Sequence, residues 1–153
     1  MELKDKVAVI TGASAGIGAA TARSLAHGGA SLLLVARRED RLQSLAQEIG
    51  AETRVLALDL ADPSAPQAML DHALGEFGAI DILVNNAGIL RTSHYEEFDL
   101  AELDPMIAVN YSAVVRASVL FARHMKARGT GQIVNISSIG AGITAVGTGV
   151  YGG

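Results

Sequence analysis

The chain has 153 residues, of which half are hydrophobic but only 4% aromatic, and it carries a formal net charge of −4. This length is typical of one domain with a single core, and a negative charge without any basic run argues against nucleic acid as a partner. The sequence contains no cysteine, which excludes disulfide bonds and thiolate metal sites.

Strand-like and helix-like segments alternate along the chain and are joined by short links. The predicted strands are Val7–Ile10, Ser31–Val35, Arg54–Leu58, Ile80–Val84 and Gln132–Ile136. The predicted helices are Gly16–His27, Glu39–Ile49, Pro63–Phe77 and a long helix from Asp104 to Arg128, and the residues after Ile136 are predicted to be a glycine-rich loop. Such alternation implies parallel strands with right-handed crossovers, and therefore an α/β fold with a doubly wound sheet.

The link after the first strand reads TGASAGIG, residues 11–18. Gly12 allows a tight turn, Gly16 allows a pyrophosphate to approach the backbone, and Gly18 allows the following helix to pack closely. The N-terminus of that helix supplies free N–H groups and a partial positive charge for the anion. The turn therefore predicts phosphate binding, although a purely structural turn of the same composition is the alternative.

Polar residues also end the later strands. DILVNNAG, residues 81–88, ends in two amides whose burial is costly unless their hydrogen bonds are satisfied, and Asn-Asn-Ala-Gly can also form a turn. Asn110 interrupts an apolar stretch of the long helix, where asparagine is mildly unfavourable. The fifth strand ends at Ser137 and Ser138.

With TGxxxGxG at the first turn and NNAG after the fourth strand, the chain resembles the short-chain dehydrogenase/reductase family. The register agrees, because the family's catalytic tyrosine follows its substrate-orienting serine by thirteen residues, as Tyr151 follows Ser138. The resemblance implies a Rossmann-type NAD(P)-binding domain over residues 1–153 that moves hydride between nicotinamide and a small alcohol or ketone. Sugar-nucleotide epimerases share the fold but have TGxxGxxG at this turn, which the chain does not match.

The resemblance also implies the roles of individual residues. Tyr151 would transfer the proton, Ser138 would polarise the substrate oxygen, and Asn110 would hold a water of the proton relay, unless it is simply an exposed helical asparagine. The implied cofactor-binding residues are Gly12, Ser14, Gly16, Ile17, Gly18, Arg37, Arg38, Asp59, Leu60, Asn86, Ala87 and Gly88. Asp59 resembles the family's adenine-binding acid, although it could equally cap the turn before Pro63.

The end of the second strand bears on the choice of cofactor. Ala36 occupies the position where NAD-specific sites have an acid for the ribose 2′-OH, and Arg37 and Arg38 follow it. Because guanidinium groups pair with a 2′-phosphate, the sequence favours NADP(H) over NAD(H). The alternatives are that both arginines are only solvated, or that Glu39 turns back toward the ribose and selects NAD.

In the family a lysine four residues after the tyrosine, in YxxxK, lowers the pKa of the phenol from about 10. Here the sequence reads Tyr151, Gly152, Gly153. We therefore expect the N-terminal portion of a longer enzyme, or a truncated gene product, that covers about three fifths of a family domain, leaves the fifth strand at an edge and is inactive by itself. A non-catalytic nucleotide-binding module and a remnant that binds nothing are the alternatives.

The remaining expectations concern location and partners. No continuous apolar run approaches the roughly 18 residues of a membrane span, and the apolar start breaks after Ile10, so we expect a cytoplasmic protein without a signal peptide. The resemblance implies a homodimer or homotetramer that assembles through the long helix and the helix after it. The histidines share no metal-ligand spacing, so we expect surface positions and no metal, while His94 and Tyr95 could line a substrate pocket; the four are His27, His72, His94 and His124.

Overall fold

The computed structural model describes residues 3–50, 52–142 and 147–152, in which strands and helices alternate. The strands are β1 (Val7–Thr11), β2 (Ser31–Ala36), β3 (Thr53–Ala57), β4 (Ile82–Asn85) and β5 (Gln132–Asn135). The helices are α1 (Gly16–His27), α2 (Glu39–Ile49), α3 (Ala65–Phe77), α4 (Leu103–Ile107), α5 (Val114–Arg128) and α6 (Gly149–Gly152). A π-helical turn, Ala108–Ala113, joins α4 to α5.

All the strand pairs are parallel, and the sheet order is β3-β2-β1-β4-β5. The order reverses between β1 and β4, which makes the sheet doubly wound and confirms the predicted fold class. Within the described part of the chain β5 lies at one edge, as expected, and its residues are only half-buried or exposed.

The core has two main layers, one on each face of the sheet. Because successive side chains of a strand point to opposite faces, Leu32 and Leu34 pack with α1 and α2, whereas Leu33 and Val35 pack with α3 and α5. All four are fully buried. Burial on both faces explains why β2 is a continuous apolar run rather than an alternating one.

Several predicted boundaries shift by one or two residues. The predicted helix at Pro63 begins instead at Ala65, after a turn in which Asp62 Oδ1 accepts hydrogen bonds from Ser64 N at 2.8 Å and Ser64 Oγ at 2.7 Å. These bonds, first from the backbone and then from the hydroxyl, lower the pKa of the exposed Asp62 carboxyl. Hydrogen bonds to the Asp62 side chain therefore form this turn, and the periodicity of apolar residues does not predict them.

The prediction of loop throughout the residues after β5 was wrong. Ile139–Ala141 form a 3₁₀ turn, and Gly149–Gly152 form the short helix α6. Ser138 starts the turn by accepting a hydrogen bond from Gly140 N to its Oγ at 3.1 Å. A glycine-rich composition predicted loop here, but local capping and contacts with other segments override that preference.

The long helix is more apolar on average than its longest uninterrupted run of apolar residues indicates. Leu100–Arg128 is 29 residues long, and its most apolar 18-residue window has a mean hydropathy of 1.4 with 28% of it buried, so the helix could cross a membrane by length and composition alone. One face of this helix, with Ala117, Phe121 and Met125, packs against the sheet and α3. That packing is the arrangement of a core helix.

The amino end of β4 is held by polar contacts. Asp81 is 8% exposed; its Oδ2 accepts a hydrogen bond from Val7 N at 3.0 Å, and its Oδ1 lies 3.3 Å from Arg128 Nη2 and 3.7 Å from Lys6 Nζ. His124 Nε2 accepts a hydrogen bond from the buried Ile80 N at 3.3 Å. The prediction that every histidine has an ordinary surface position was therefore wrong for His124, which is half-buried and satisfies a core amide.

Candidate active site

The glycine turn after β1 has no room for side chains at two of its three glycines. A Cβ at Gly12, where φ is +67°, would lie 2.8 Å from Ala87 Cα, and a Cβ at Gly18 would lie 2.5 Å from Gly12 O and from Asn86 Nδ2. At Gly16, where φ is +57°, a Cβ would meet nothing within 4 Å. Gly12 and Gly18 thus let the turn pack against the end of β4, and Gly16 leaves open space beside the N-terminus of α1.

The same substitution is expected to have opposite effects in two helices. Gly18→Ala should destabilise the fold by about 1–2 kcal/mol, because its Cβ meets backbone that cannot easily move. Gly75→Ala, in the exposed interior of α3 with nothing within 4 Å of its Cβ, should stabilise by about 0.5–1 kcal/mol. Urea unfolding of both variants checks the pair, and a Gly18→Ala protein as stable as the unmodified chain would contradict the packing argument.

Thr11 links the ends of β1 and β4 where the strand order reverses. Its Oγ1 donates to Val84 O at 3.3 Å and accepts from Asn86 N at 2.9 Å and Ala87 N at 3.0 Å. Asn86 Nδ2 returns hydrogen bonds to Thr11 O at 2.9 Å and Gly12 O at 3.3 Å. Sequence reasoning did not single out Thr11, although a buried hydroxyl at the end of an apolar strand was the available signal.

The amide of Asn85, which is 4% exposed, is satisfied by partners on two other elements. Its Nδ2 donates to Asn135 Oδ1 at 2.8 Å on β5 and to Ser118 Oγ at 3.1 Å on α5. The parallel register places Asn85 opposite Asn135 and explains the first contact. Neither Ser118 nor Asn135 was predicted, because the pairing of β4 with β5 had to be known first.

Asn110 lies in the π-helical turn and is not a freely exposed helical amide. Its Oδ1 accepts from Ile89 N at 2.8 Å, and its Nδ2 donates to Ile89 O at 2.8 Å. This reciprocal pair ties the segment after β4 to the long helix. Its role in a proton relay stays a prediction.

One cavity, of about 310 Å³, lies beyond the carboxyl ends of β1, β2, β3 and β4. Arg38 Nη2 donates to Ser14 Oγ at 2.9 Å, which joins the end of β2 to the glycine turn. Asp59 Oδ1 accepts from Ala61 N at 3.0 Å, so this carboxylate caps a turn while also lining the cavity. The predicted residues that line this cavity are Gly12, Ser14, Arg37, Arg38, Asp59, Leu60, Asn86, Ala87 and Gly88.

A second cavity, of about 640 Å³, lies at the ends of β4 and β5. A Cβ at Gly140 would lie 2.9 Å from Tyr151 Cε1 and 3.4 Å from Ser138 Oγ, so the two predicted catalytic side chains flank the same point. The predicted residues that line this cavity are Ile17, Asn86, Ala87, Gly88, Asn110, Ser138 and Tyr151. Gly16 and Gly18 line neither cavity: Gly16 borders a hollow between α1 and α2, and Gly18 is buried under the turn.

The two cavities share Asn86, Ala87 and Gly88 and are therefore contiguous across the end of β4. One continuous hollow therefore runs from the glycine turn and the neighbouring Arg37 and Arg38 to Ser138 and Tyr151. Across residues 3–50, 52–142 and 147–152, no group of three or more histidine, aspartate or glutamate side chains could hold a metal ion.

Comparison with known proteins places these features in a family. The model of the short chain dehydrogenase family matches residues 6–153. The chain is 37% identical over 139 residues to 3-oxoacyl-[acyl-carrier-protein] reductase FabG of Escherichia coli, covering 91% of this chain and 57% of that protein. It spans from 46% to 62% of the lengths of several curated relatives.

Solved structures agree in fold. A short chain dehydrogenase/reductase from Burkholderia phymatum in complex with NAD superposes with a TM-score of 0.95 at 31% identity, covering 99% of this chain and 56% of that one. A metagenomic short-chain oxidoreductase in complex with NADP superposes with a TM-score of 0.93 at 38% identity, covering 99% and 71%. By the match over residues 6–153 and these superpositions, the chain belongs to the short chain dehydrogenase family of oxidoreductases.

Proposed function

We propose that this chain forms the cofactor-binding part of an NADP(H)-dependent oxidoreductase that interconverts a small alcohol and its carbonyl compound. The observation that carries the proposal is the continuity of the two cavities through Asn86, Ala87 and Gly88. A dinucleotide laid across that bridge has its phosphates at the glycine turn and its reactive end beside Ser138 and Tyr151. Assembly as a homodimer or homotetramer stays a prediction from the family resemblance, and a cytoplasmic location stays a prediction from the sequence composition.

The residues present fit a dinucleotide. Gly12, Ser14 and Ala15 line the first cavity just before the N-terminus of α1, where free N–H groups and the helix dipole favour a pyrophosphate. Gly12 and Gly18 keep the turn close enough to β4 for the cofactor to pass over Asn86. Asp59 uses one carboxylate oxygen for Ala61 N and keeps the other to accept from an adenine amino group.

The choice of NADP(H) follows from the charges at the end of β2. Arg37 and Arg38 line the first cavity, and Arg38 already bonds to Ser14 at the turn. Two cations and a hydroxyl favour a 2′-phosphate, whereas NAD-specific sites have a carboxylate where this chain has Ala36. Glu39 is the first residue of α2, is exposed and does not line the first cavity, which argues against the NAD alternative.

In the chemical step, bound nicotinamide would supply or accept the hydride. Tyr151 would give or take the hydroxyl proton of the substrate. Ser138 Oγ already accepts from Gly140 N, so its own proton is available to donate to the substrate oxygen, a contribution of about 2–4 kcal/mol by analogy with single oxyanion-hole donors. Asn110 would hold the segment around Ile89 beside the nicotinamide.

Fluorescence titration with NADPH and NADH tests the cofactor assignment. We expect tighter binding of NADPH, and a loss of about tenfold, or 1.4 kcal/mol, in Arg38→Gln for NADPH alone, because the 2′-phosphate loses its charge-assisted partner. Arg123→Gln, which removes an equal charge from the exposed side of α5, is the matched control. Equal losses for both cofactors would contradict the 2′-phosphate site.

A panel of small carbonyl compounds with NADPH then tests the reaction class, in a protein extended to the length of the curated relatives of which this chain spans only part. Oxidation of NADPH that depends on a panel member would support the oxidoreductase. NADPH binding without turnover would instead favour a non-catalytic nucleotide-binding module. A chain that binds neither cofactor would overturn the proposal.

A further inference from the structure

We propose that Tyr95 is a positioning residue that fixes the orientation of Tyr151 by packing on Gly149, an inference that rests on the catalytic role proposed for Tyr151. The contact is close: a Cβ at Gly149 would lie 2.6 Å from Tyr95 Cζ and 2.7 Å from Tyr95 Cε2. The aromatic ring therefore occupies the space that any larger residue at position 149 would need. Gly149 begins α6, two residues before Tyr151.

A second contact holds the same two segments together. Ser93 N donates to Gly147 O at 2.9 Å, so the chain after β4 bonds to the chain that leads into α6. Tyr95 itself begins a 3₁₀ turn, Tyr95–Glu97, in which Phe98 N donates to Tyr95 O at 3.4 Å. The ring is thus presented to Gly149 from a segment with its own local structure.

Tyr151 itself has a close contact on another segment. Its ring lies against Gly140, where a Cβ would be 2.9 Å from Tyr151 Cε1. Gly140 therefore contacts the tyrosine ring, while Tyr95 contacts the first residue of α6.

This packing also accounts for a large exposed aromatic residue. Tyr95 is 73% exposed and belongs to none of the buried core clusters among the described residues. Its position in the sequence indicated a possible wall of the substrate pocket, yet Tyr95 does not line the cavity that contains Ser138 and Tyr151. Its contact with Gly149 gives it a role beside the reacting group instead.

A double-mutant cycle in the full chain tests the inference. The chain has three tyrosines and no tryptophan, so Tyr111→Phe with Tyr95→Phe leaves Tyr151 as the only tyrosine, and its labelled ring can be followed by NMR across a pH titration. In this background Tyr95→Phe keeps the ring, and Gly149→Ala should displace the Tyr151 signal and its titration midpoint. When Tyr95 is replaced by alanine instead of phenylalanine, the methyl group added by Gly149→Ala has room. In that protein Gly149→Ala should leave the Tyr151 signal and its titration midpoint close to their values with Gly149.

An equal effect of Gly149→Ala with and without the ring at position 95 would overturn the inference. Tyr95→Phe alone should leave the melting temperature unchanged, which separates the positioning effect from general unfolding. The cycle uses no cofactor, so a failure to bind NADPH would count against the proposed function and leave the contact between Tyr95 and Gly149 to be judged by the cycle.

Discussion

Thr11→Val is expected to lower the free energy of unfolding by about 2–4 kcal/mol, although valine has nearly the same shape as threonine. The hydroxyl accepts from Asn86 N and Ala87 N at 2.9 Å and 3.0 Å, and both donors are part-buried. Removing the acceptor leaves two N–H groups with poor access to water, and each such group costs about 1–3 kcal/mol. Equilibrium unfolding in urea measures the loss.

Thr11→Ser is the matched control because it keeps the hydroxyl and removes only a methyl group. It should recover most of the stability that valine loses. If the serine variant were the less stable of the two, packing of the methyl rather than hydrogen bonding would hold the ends of β1 and β4 together. NADPH affinity, where measured, should fall with Thr11→Val as well, since Asn86 and Ala87 form the bridge between the two cavities.

The strands and the glycine turn could be predicted because their signals are local. A continuous apolar run such as Leu32–Val35 indicates a strand buried on both faces. The spacing of Gly12, Gly16 and Gly18 indicates a turn whose backbone can come close to neighbouring segments or to a phosphate. The doubly wound parallel topology was predicted as well, since alternating strands and helices allow few topologies, whereas the strand order itself came from the structure. The family motifs identified Ser138 and Tyr151, and the structure brings those two side chains together at Gly140.

The contacts that hold the site together could not be predicted, because they join residues far apart in the chain. The bond from Asn86 N to Thr11 Oγ1 spans 75 positions, and the pairing of Asn85 with Asn135 spans 50. Both depend on the register of neighbouring strands, which no single segment encodes. The π-helical turn at Asn110 could not be predicted for the same reason. An asparagine in a helix indicates an irregularity, but its form depends on the hydrogen bonds between Asn110 and the distant Ile89.

The amino end of the sheet shows the same limitation at a distance from the proposed site. In the sequence Asp81 was visible only as a charged residue inside the predicted strand Ile80–Val84, whereas the observed strand begins at Ile82. In the structure its carboxylate contacts Val7 N, Arg128 and Lys6, which come from two distant parts of the chain, the residues at the start of β1 and the end of α5. Arg128 also donates to Ile80 O at 2.6 Å, so the end of α5 is fastened to the start of β4.

Asp81→Leu should therefore destabilise the fold by about 2–3 kcal/mol. The side chain is 10% exposed, and leucine keeps the same branched shape, although it is larger, but leaves Val7 N without its acceptor, at a cost of about 1–3 kcal/mol. The ion pairs add less, since the Arg128 and Lys6 side chains are 31% and 36% exposed and can turn to water.

Asp81→Asn separates these contributions, because an amide oxygen can still accept from Val7 N while the charge is lost. Its cost should be well under half that of Asp81→Leu, measured by urea unfolding. Because Asp81 precedes β4 whereas both cavities lie beyond the carboxyl ends of the strands, NADPH affinity of the folded variants should not change. Equal destabilisation by leucine and asparagine would mean that the charge, rather than the hydrogen bond to Val7, holds this end of the sheet.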